Sequence, residues 1–344
     1  TDLAARIKKG EIKIIIGTHA IIQKSVAFHS LALAIVDEQH RFGVSQRAAL
    51  LKNKVKHIPH FLSMSATPIP RTLMLTIFGD LDLSLITELP KGRKAIITKI
   101  VAPENRAKAY AFIRGEILKG RQAFVICPRI EKAEVVEGEP LLPKNMNWND
   151  VKAVTEEYER LKTKVFPDLR IAMLHGKLKP KEKSTIMADF AAKNYDILVS
   201  TSVIEVGVDV PNATIMMIEG ADRFGLSQLY QFRGRVGRGE HQSFCLLFTD
   251  SHSDNVERRL KSLIEAKNGF ELAEKDLAIR GPGEFLGHSQ TGLPDSAMSA
   301  LENIELVKSA RLAAVNVIKK DQNLRAFPAL RARFEQFQKK IHLE

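Results

Sequence analysis

The chain has 344 residues, 44% of them hydrophobic, and a formal net charge of +12. This composition excludes wholesale disorder and is typical of proteins with a polyanionic partner, usually nucleic acid, although charge alone leaves an inert basic surface equally open. The two cysteines, each inside an apolar run, exclude a disulfide framework and a cysteine zinc site, and no apolar run approaches the roughly 20 residues of a membrane span.

Short apolar runs alternate with helical stretches along most of the chain. The predicted strands are Ile12–Ile16, Leu31–Val36, Phe61–Met64, Ile96–Val101, Ala123–Cys127, Ile171–Leu174, Ile197–Val199, Thr214–Ile218 and Phe244–Phe248. Central strands of parallel sheets have this continuous apolar character because helices cover both faces of the sheet. The alternation therefore predicts doubly wound α/β units.

Two segments interrupt this pattern. Leu89–Arg93 carries the Pro and Gly steps of an interdomain linker, and Glu131–Asp150 is typical of an irregular surface insertion. The strand pattern ends at Asp250. We therefore predict three parts: a partial α/β domain at residues 1–90, a complete one at 91–250 and a helical part at 251–344.

The helical part has its own pattern. Asn255–Glu274 has helical periodicity, Arg280–Gly292 is rich in glycine, and Ala297–Ile341 is again helical with many basic residues. The stretch Arg325–Lys340 is basic enough to contact DNA, although a solvated helix face explains the same pattern.

Two acids, Asp37 and Glu38, close the second predicted strand. The C-terminal end of a buried parallel strand is where α/β sheets bind ligands. A nucleotide-driven motor needs one carboxylate to hold Mg²⁺ and another to polarise the attacking water, and Asp37 and Glu38 fit these roles in turn. An ordinary strand-end acid pair is the alternative. Ser65 and Thr67, one strand later, are small hydroxyl residues suited to couple the nucleotide state to moving parts.

The segment Gln231–Arg238 sets Arg235 and Arg238 three residues apart on a glycine-containing turn, which we expect at the start of a helix. Glycine lets the backbone approach a ligand, and guanidinium groups bind phosphate oxygens in pairs. On a second domain, such arginines stabilise charge on the γ-phosphate as arginine fingers. A basic loop that binds phosphates without catalysis is the alternative.

Further polar residues follow predicted strands. Thr201 is placed to hold a DNA phosphate, a contact that positions without reading sequence. Asp209, in the segment Gly207–Pro211, is placed to bond a nucleotide ribose. His175 and Thr18 are candidate phosphate contacts, and each is also explained as a plain turn.

These motifs, in this order, resemble those of the superfamily 2 helicases over nearly the whole chain. The matches are Thr18 in motif Ib, Asp37–His40 in motif II, Ser65–Thr67 in motif III, Val125–Pro128 in motif IV, Ser200–Ala213 in motif V and Gln228–Arg238 in motif VI. The resemblance implies two RecA-like domains, one partial and one complete, with ATP bound between them. It also implies nucleotide contacts from Gln231, Gly207 and Asp209.

The connecting segments resemble one family more closely. They are Asp37–Val44, Ala66–Thr72 and Arg280–Gly287, and they are similar to the RecG family of branched-DNA helicases. The last resembles the TRG motif, which that family shares with the transcription-repair coupling factors and which follows a helical hairpin. The resemblance implies that Arg280 and Gln290 contact DNA or transmit motion. The residues Gly-Pro-Gly-Glu-Phe in this segment favour the RecG family over the coupling factors.

The phosphate-binding loop Gly-x-x-x-x-Gly-Lys-[Ser/Thr] does not occur in this sequence. That loop holds the β- and γ-phosphates and supplies a hydroxyl to Mg²⁺. Nor does any segment resemble the OB-type wedge domain that the family carries ahead of its motor. We therefore expect a fragment that begins partway through the first motor domain and has little or no ATPase activity alone.

The resemblance implies a fragment of an ATP-dependent translocase that reverses forks and processes Holliday junctions in DNA repair and recombination. It implies ATP and Mg²⁺ as cofactors, branched double-stranded DNA as substrate and single-stranded DNA-binding protein as a partner. We expect a monomer in the bacterial cytoplasm, associated with the nucleoid and not with a membrane. A coupling-factor-like translocase and a non-catalytic DNA-binding module are the alternatives, although a pure binder has no need of the paired acids and arginines.

Overall fold

A computed structural model describes residues 2–18, 21, 26–38, 59–65, 84–86, 88, 92–128, 154–201, 209–251, 253–286 and 304–340. The chain divides into two compact units, Thr1–Pro68 and Ile69–Glu344. The domain boundaries that we place after residues 90 and 250 stay predictions.

The first unit contains helix α1 (Asp2–Lys9) and two parallel strands, β1 (Leu33–Val36) and β2 (His60–Ser63). Both strands lie within the runs predicted for them or one residue beyond. The last turn of α1 is basic, which suits the partial negative charge at a helix C-terminus. Val36 pairs with Ser63, so the residues that follow the two strands leave the sheet at the same edge.

The predicted strand at Ile12–Ile16 is wrong. These residues form no regular structure, and Ile14 and Ile16 are 81% and 94% exposed. They line a cavity of about 930 Å³ together with Ile7 and Leu33. A strand needs a neighbour to satisfy its backbone hydrogen bonds. Among the described residues of this unit, β1 and β2 pair only with each other.

The second unit is built on a six-stranded sheet. Its strands are β3 (Ile97–Val101), β4 (Gln122–Ile126), β5 (Ile171–Leu174), β6 (Ile197–Ser200), β7 (Ala213–Ile218) and β8 (Phe244–Phe248). Its helices are α2 (Arg106–Leu118), α3 (residues 154–160, continued by a π-helix at Leu161–Val165), α4 (Pro180–Ala191), α5 (Leu226–Arg233), α6 (Asp254–Glu265), α7 (Gly269–Leu286), α8 (Ile304–Lys320) and α9 (Pro328–Lys340). Six of the predicted strands are confirmed here, each within one residue at either end.

The strand order is β3-β8-β7-β4-β6-β5, and every neighbouring pair is parallel. Successive residues of β4 face opposite sides. Phe124 and Ile126 belong to a core that α4, α5, α6 and α7 complete, while Ala123 and Val125 belong to one that α2 and α3 complete. The predicted doubly wound α/β architecture is confirmed. As predicted, Cys127 and Cys245 are buried and unpaired, and burial raises the pKa of Cys245 to about 12.

The helix predicted at Asn255–Glu274 is two helices, α6 and α7. The backbone of Ala266 is extended, and the Asn268 side chain accepts a 3.0 Å hydrogen bond from the amide of Glu271, so it caps the new helix. Helix α7 continues to Leu286, through the first residues of the glycine-rich segment. No helix in the described ranges is both long and apolar enough to cross a membrane.

Candidate functional site

The acid pair, Asp37 and Glu38, directly follows β1 in the first unit. The amide of Glu38 donates a 2.9 Å hydrogen bond to Oδ1 of Asp37. Glu38 has a φ of 52°, in the left-handed region that non-glycine residues rarely adopt. Asp37 is exposed, and Glu38 is half-buried. The strand end therefore presents one accessible carboxylate, that of Asp37, followed directly by a second, half-buried acid.

This arrangement suits Mg²⁺ better than a metal that needs an all-protein cage. Mg²⁺ keeps several waters and is bound through one or two carboxylates plus substrate phosphates. Asp37 provides such a carboxylate. Where the structure describes side chains, no three His, Cys, Asp or Glu residues converge on one point.

The other candidates of the first unit are Thr18, Ser65 and Thr67. Ser65 comes just after β2, and the amide of Met64 donates a 2.8 Å hydrogen bond to the carbonyl of Val36, so Ser65 and Asp37 leave the sheet at the same edge. Thr18 is exposed, and its carbonyl accepts a 3.1 Å bond from the amide of Ile21. Thr67 lies outside the described residues.

In the second unit, His175 and Thr201 follow the neighbouring strands β5 and β6, where Leu174 pairs with Ser200. Ser200 and Thr201 are buried, and His175 is half-buried. Within the described part of the chain, neither the Ser200 hydroxyl nor Nδ1 of His175 has a hydrogen-bond partner. Burial, with the charges of Lys183 and Lys177, lowers the pKa of His175. The strand ends thus present unsatisfied polar groups beside lysines.

The turn Gly234–Arg238, called the motif VI turn below, follows α5. The predicted helix start is therefore wrong, because the apolar face of α5 ends at Phe232, and Gly234 ends the helix. The turn is fixed at Gly237, which has a φ of 79° and donates a 3.1 Å hydrogen bond to the hydroxyl of Ser243. A Cβ on Gly237 would lie 2.9 Å from Ile96, so glycine is required there.

The motif VI turn carries the predicted arginines. Arg235 and Gln231 are half-buried. Nη1 of Arg238 lies 3.5 Å from Oδ1 of Asp209. The structure thus brings together two residues that the sequence predicts to act on the same nucleotide. Gly207 lies outside the described residues. The predicted convergence of the acid pair with the arginines stays a prediction, since they belong to different units.

A charged cluster that no sequence motif predicts lies at the carboxyl edge of the second sheet. Glu219 follows β7, and its side chain is only 11% exposed. Arg106 donates hydrogen bonds of 2.9 and 3.0 Å to its two oxygens, and Arg160 donates one of 3.0 Å. Arg106 also bonds Asp250 at 2.9 Å. The Glu219 cluster comprises Arg106, Tyr110, Glu157, Arg160, Glu219 and Asp250.

The cluster holds α2, α3, β7 and β8 together. Burial, with the charge of Glu157, raises the pKa of Glu219 in spite of the adjacent Arg106. The sequence did contain a signal for this cluster, because Glu219 directly follows the apolar strand β7. A buried acid of this kind needs a basic partner.

The motif VI turn is also linked to the helical part of the chain. Arg233, at the end of α5, donates a 2.7 Å hydrogen bond to the carbonyl of Leu263 in α6, and its guanidinium lies 4.8 Å from the ring centre of Tyr230. Lys275 of α7 pairs with Glu265 of α6 at 2.7 Å. Arg280 lies within α7, and Gln290 lies outside the described residues.

Two protein-family models match the chain. Residues 1–76 match the DEAD/DEAH box helicase family, and residues 108–240 match the helicase conserved C-terminal domain.

Known relatives match over nearly the whole chain. A RecG ATP-dependent DNA helicase from Synechocystis sp. is 48% identical over 341 residues, which are 99% of this chain and 39% of the relative. The corresponding helicase of Bacillus subtilis is 46% identical over 321 residues, 93% of this chain and 45% of the relative. A solved structure of RecG bound to a three-way DNA junction is 40% identical, with a TM-score of 0.65, and covers 88% of this chain and 37% of that one. The chain therefore spans less than half the length of these relatives.

Proposed function

The chain belongs to the RecG family of superfamily 2 helicases, and from that premise we propose that it forms part of an ATP-driven translocase for branched double-stranded DNA. The observation that carries the proposal is the contact between Arg238 and Asp209, which joins motifs VI and V at one site. The Synechocystis relative is an ATP-dependent DNA helicase, and the matched RecG structure holds a three-way DNA junction. Both descriptions favour RecG over a coupling factor.

On the nucleotide side, we assign Asp37 to Mg²⁺ and Glu38 to the attacking water. Bound Mg²⁺ would neutralise charge on the β- and γ-phosphates. Glu38 directly follows Asp37 in the chain, and its carboxylate would orient the attacking water. Ser65 and Thr67 follow the adjacent strand and would couple this edge to moving parts.

From the second unit, Arg235 and Arg238 would donate hydrogen bonds to the γ-phosphate as charge builds on it. Because the motif VI turn is pinned by Gly237, the backbone that carries these two arginines is fixed before the phosphate arrives. Gln231, Gly207 and Asp209 would contact the base or ribose.

On the DNA side, Thr18, His175 and Thr201 would hold backbone phosphates. The Ser200 hydroxyl and His175 Nδ1 support this, because they have no partner among the described residues and buried polar groups normally have one. Arg280 and Gln290 would transmit motion or contact DNA. Such contacts carry no sequence information, as a translocase requires. We also propose a monomer in the bacterial cytoplasm, associated with the nucleoid, with single-stranded DNA-binding protein as a partner.

ATP hydrolysis with forked DNA tests the proposal. We expect negligible turnover by the chain alone and DNA-stimulated turnover by a longer protein in which a phosphate-binding loop and an OB-type domain precede it. In that protein Glu38→Gln and Arg235→Ala should each reduce kcat by at least about 100-fold, since each removes transition-state stabilisation. The control is Asp168→Asn. Asp168 is exposed, belongs to an ion pair and is distant in sequence from both Glu38 and Arg235. Normal turnover by Arg235→Ala would contradict the proposal.

A further inference from the structure

The motif V and motif VI segments touch at two adjacent points. Arg238 faces Asp209 across 3.5 Å. The next residue, Gly239, lies so close to Pro211 that a Cβ at position 239 would be 2.7 Å from the Pro211 carbonyl oxygen. Glycine at position 239 therefore permits the two backbones to approach closely, next to the ion pair.

The two partners of this ion pair differ in exposure. The Asp209 side chain is 65% exposed, while that of Arg238 is 26% exposed. Nε of Arg238 also donates to the Gly234 carbonyl at 3.5 Å, within its own turn. The arginine is thus confined near the protein surface, whereas the carboxylate stands in solvent. An exposed pair of this kind is weak and easily displaced.

Resting on the function proposed above, we propose that Asp209 is a positioning residue that holds Arg238 until a polyphosphate displaces it. A phosphate bearing two charges outcompetes a single carboxylate for a guanidinium group. Arg238 therefore changes partner when a nucleotide arrives and returns to Asp209 when phosphate leaves. The carboxylate therefore lowers the equilibrium affinity for any polyphosphate that binds Arg238.

Binding of inorganic triphosphate to the 344-residue chain tests this directly. Triphosphate has no ribose, so the ribose contact assigned to Asp209 does not enter the measurement. We expect Asp209→Asn to bind triphosphate about two- to fivefold more tightly than the unchanged chain, with the gain diminishing at high salt because the pair is exposed. A merely structural role would predict weaker binding instead.

Asp250→Asn is the matched control. It removes the same charge from another exposed aspartate that pairs with an arginine in the same unit. If Asp250→Asn tightens binding as much as Asp209→Asn, or if neither the unchanged chain nor Asp209→Asn binds triphosphate, the proposal is overturned.

Direct repulsion between Asp209 and the bound anion is separated from the ion pair by Arg238→Ala. In that background we expect Asp209→Asn to have no further effect, and an undiminished gain would overturn the proposal. Should Arg238→Ala abolish binding, the Nε–Hε signal of Arg238 in NMR spectra decides. That signal must move on Asp209→Asn and stay in place on Asp250→Asn. Failure of ATP hydrolysis in the longer protein would reject the proposed function alone.

Discussion

Nη1 of Arg233 donates a 2.7 Å hydrogen bond to the backbone carbonyl of Leu263, which joins the helix before the motif VI turn to the first helix of the α6–α7 pair. Leu263 lies in the last turn of α6, where carbonyl groups have no partner within the helix. Arg233 of α5 thus provides a hydrogen-bond donor for a carbonyl at the C-terminal end of α6.

Arg233→Ala should lower the free energy of unfolding by about 1.5–3 kcal/mol, because it removes a charge-assisted hydrogen bond and leaves the carbonyl unsatisfied. Urea unfolding followed by circular dichroism measures this. Lys261→Ala, which breaks a fully exposed pair with Glu257 in the same helix, should cost much less than Arg233→Ala. Equal losses in the two variants would show that the bond contributes little.

In the Glu219 cluster, Arg106 pairs with one buried acid, Glu219, and one exposed acid, Asp250, so the contributions of the two pairs to stability can be compared. Glu219→Gln leaves Arg106 and Arg160 without their shared buried counter-charge and should lower the free energy of unfolding by about 2–3 kcal/mol, below the cost of a fully buried pair because both arginines are partly exposed. Asp250→Asn removes the exposed partner of Arg106 and should cost under about 1 kcal/mol. Chemical denaturation of both variants checks the ranking, and a reversed order would contradict our account of the cluster.

Asp196 makes stability depend on pH. Burial alone would raise its pKa, but hydrogen bonds from the side chain and backbone of Arg170 outweigh burial and hold the pKa below the ordinary value of 3.8. The stabilisation is therefore present above that value and is lost as pH falls through the lowered pKa. Asp196→Asn should be less stable than the unchanged chain at neutral pH and equally stable in strong acid.

Denaturant unfolding across this pH range gives the test, with Asp189→Asn as control. Asp189 bonds the Asn194 side chain within one helix end and contacts no arginine that the structure records. An Asp196→Asn variant with an unchanged pH dependence would rule out the linkage.

Lys193 lies just after the end of α4 and has a φ of 64°. Its amide bonds the carbonyl of Phe190 at 3.0 Å, and that of Asn194 bonds the carbonyl of Asp189 at 2.9 Å, as in a helix end that favours glycine. Lys193→Gly should therefore raise the free energy of unfolding by about 0.5–1 kcal/mol. Thermal unfolding measures the gain. Ala188→Gly, at an exposed position inside the same helix, should have the opposite sign with a loss of about 1 kcal/mol.

Strands β4 to β8 of the second sheet could be predicted because they are largely buried on both faces, so their apolar runs coincide with their bounds. Their ends differ by one residue where a polar side chain is buried, as at Gln122 and Ser200. Ile12–Ile16 has the same composition but no neighbour in the described sheet. Composition records the tendency to form a strand, whereas pairing depends on residues far along the chain.

In the candidate site, too, the chemistry of single residues could be predicted from the sequence, whereas their contacts could not. The chemistry of Arg238 and Asp209 could be inferred from their motifs, but their contact depends on the close approach of Gly239 to Pro211, which no local pattern encodes. Glu219 was missed because its partners come from helices 59 and 113 residues away in sequence. Predicting it would have required the strand order.

The strand order also bears on how the second unit is made. In the part of the chain that the structure describes, β3 is an edge strand that pairs only with β8, so Ile97 has no strand partner until Phe244 has been synthesised. During synthesis, β3 is the first strand of this sheet to leave the ribosome. It has no neighbouring strand until β8, the last strand of the sheet, follows. Ile97, which is 41% exposed even in the finished sheet, is uncovered throughout that interval. Nascent chains stalled before residue 244 should therefore need a chaperone to prevent aggregation, a need that ends once β8 has emerged.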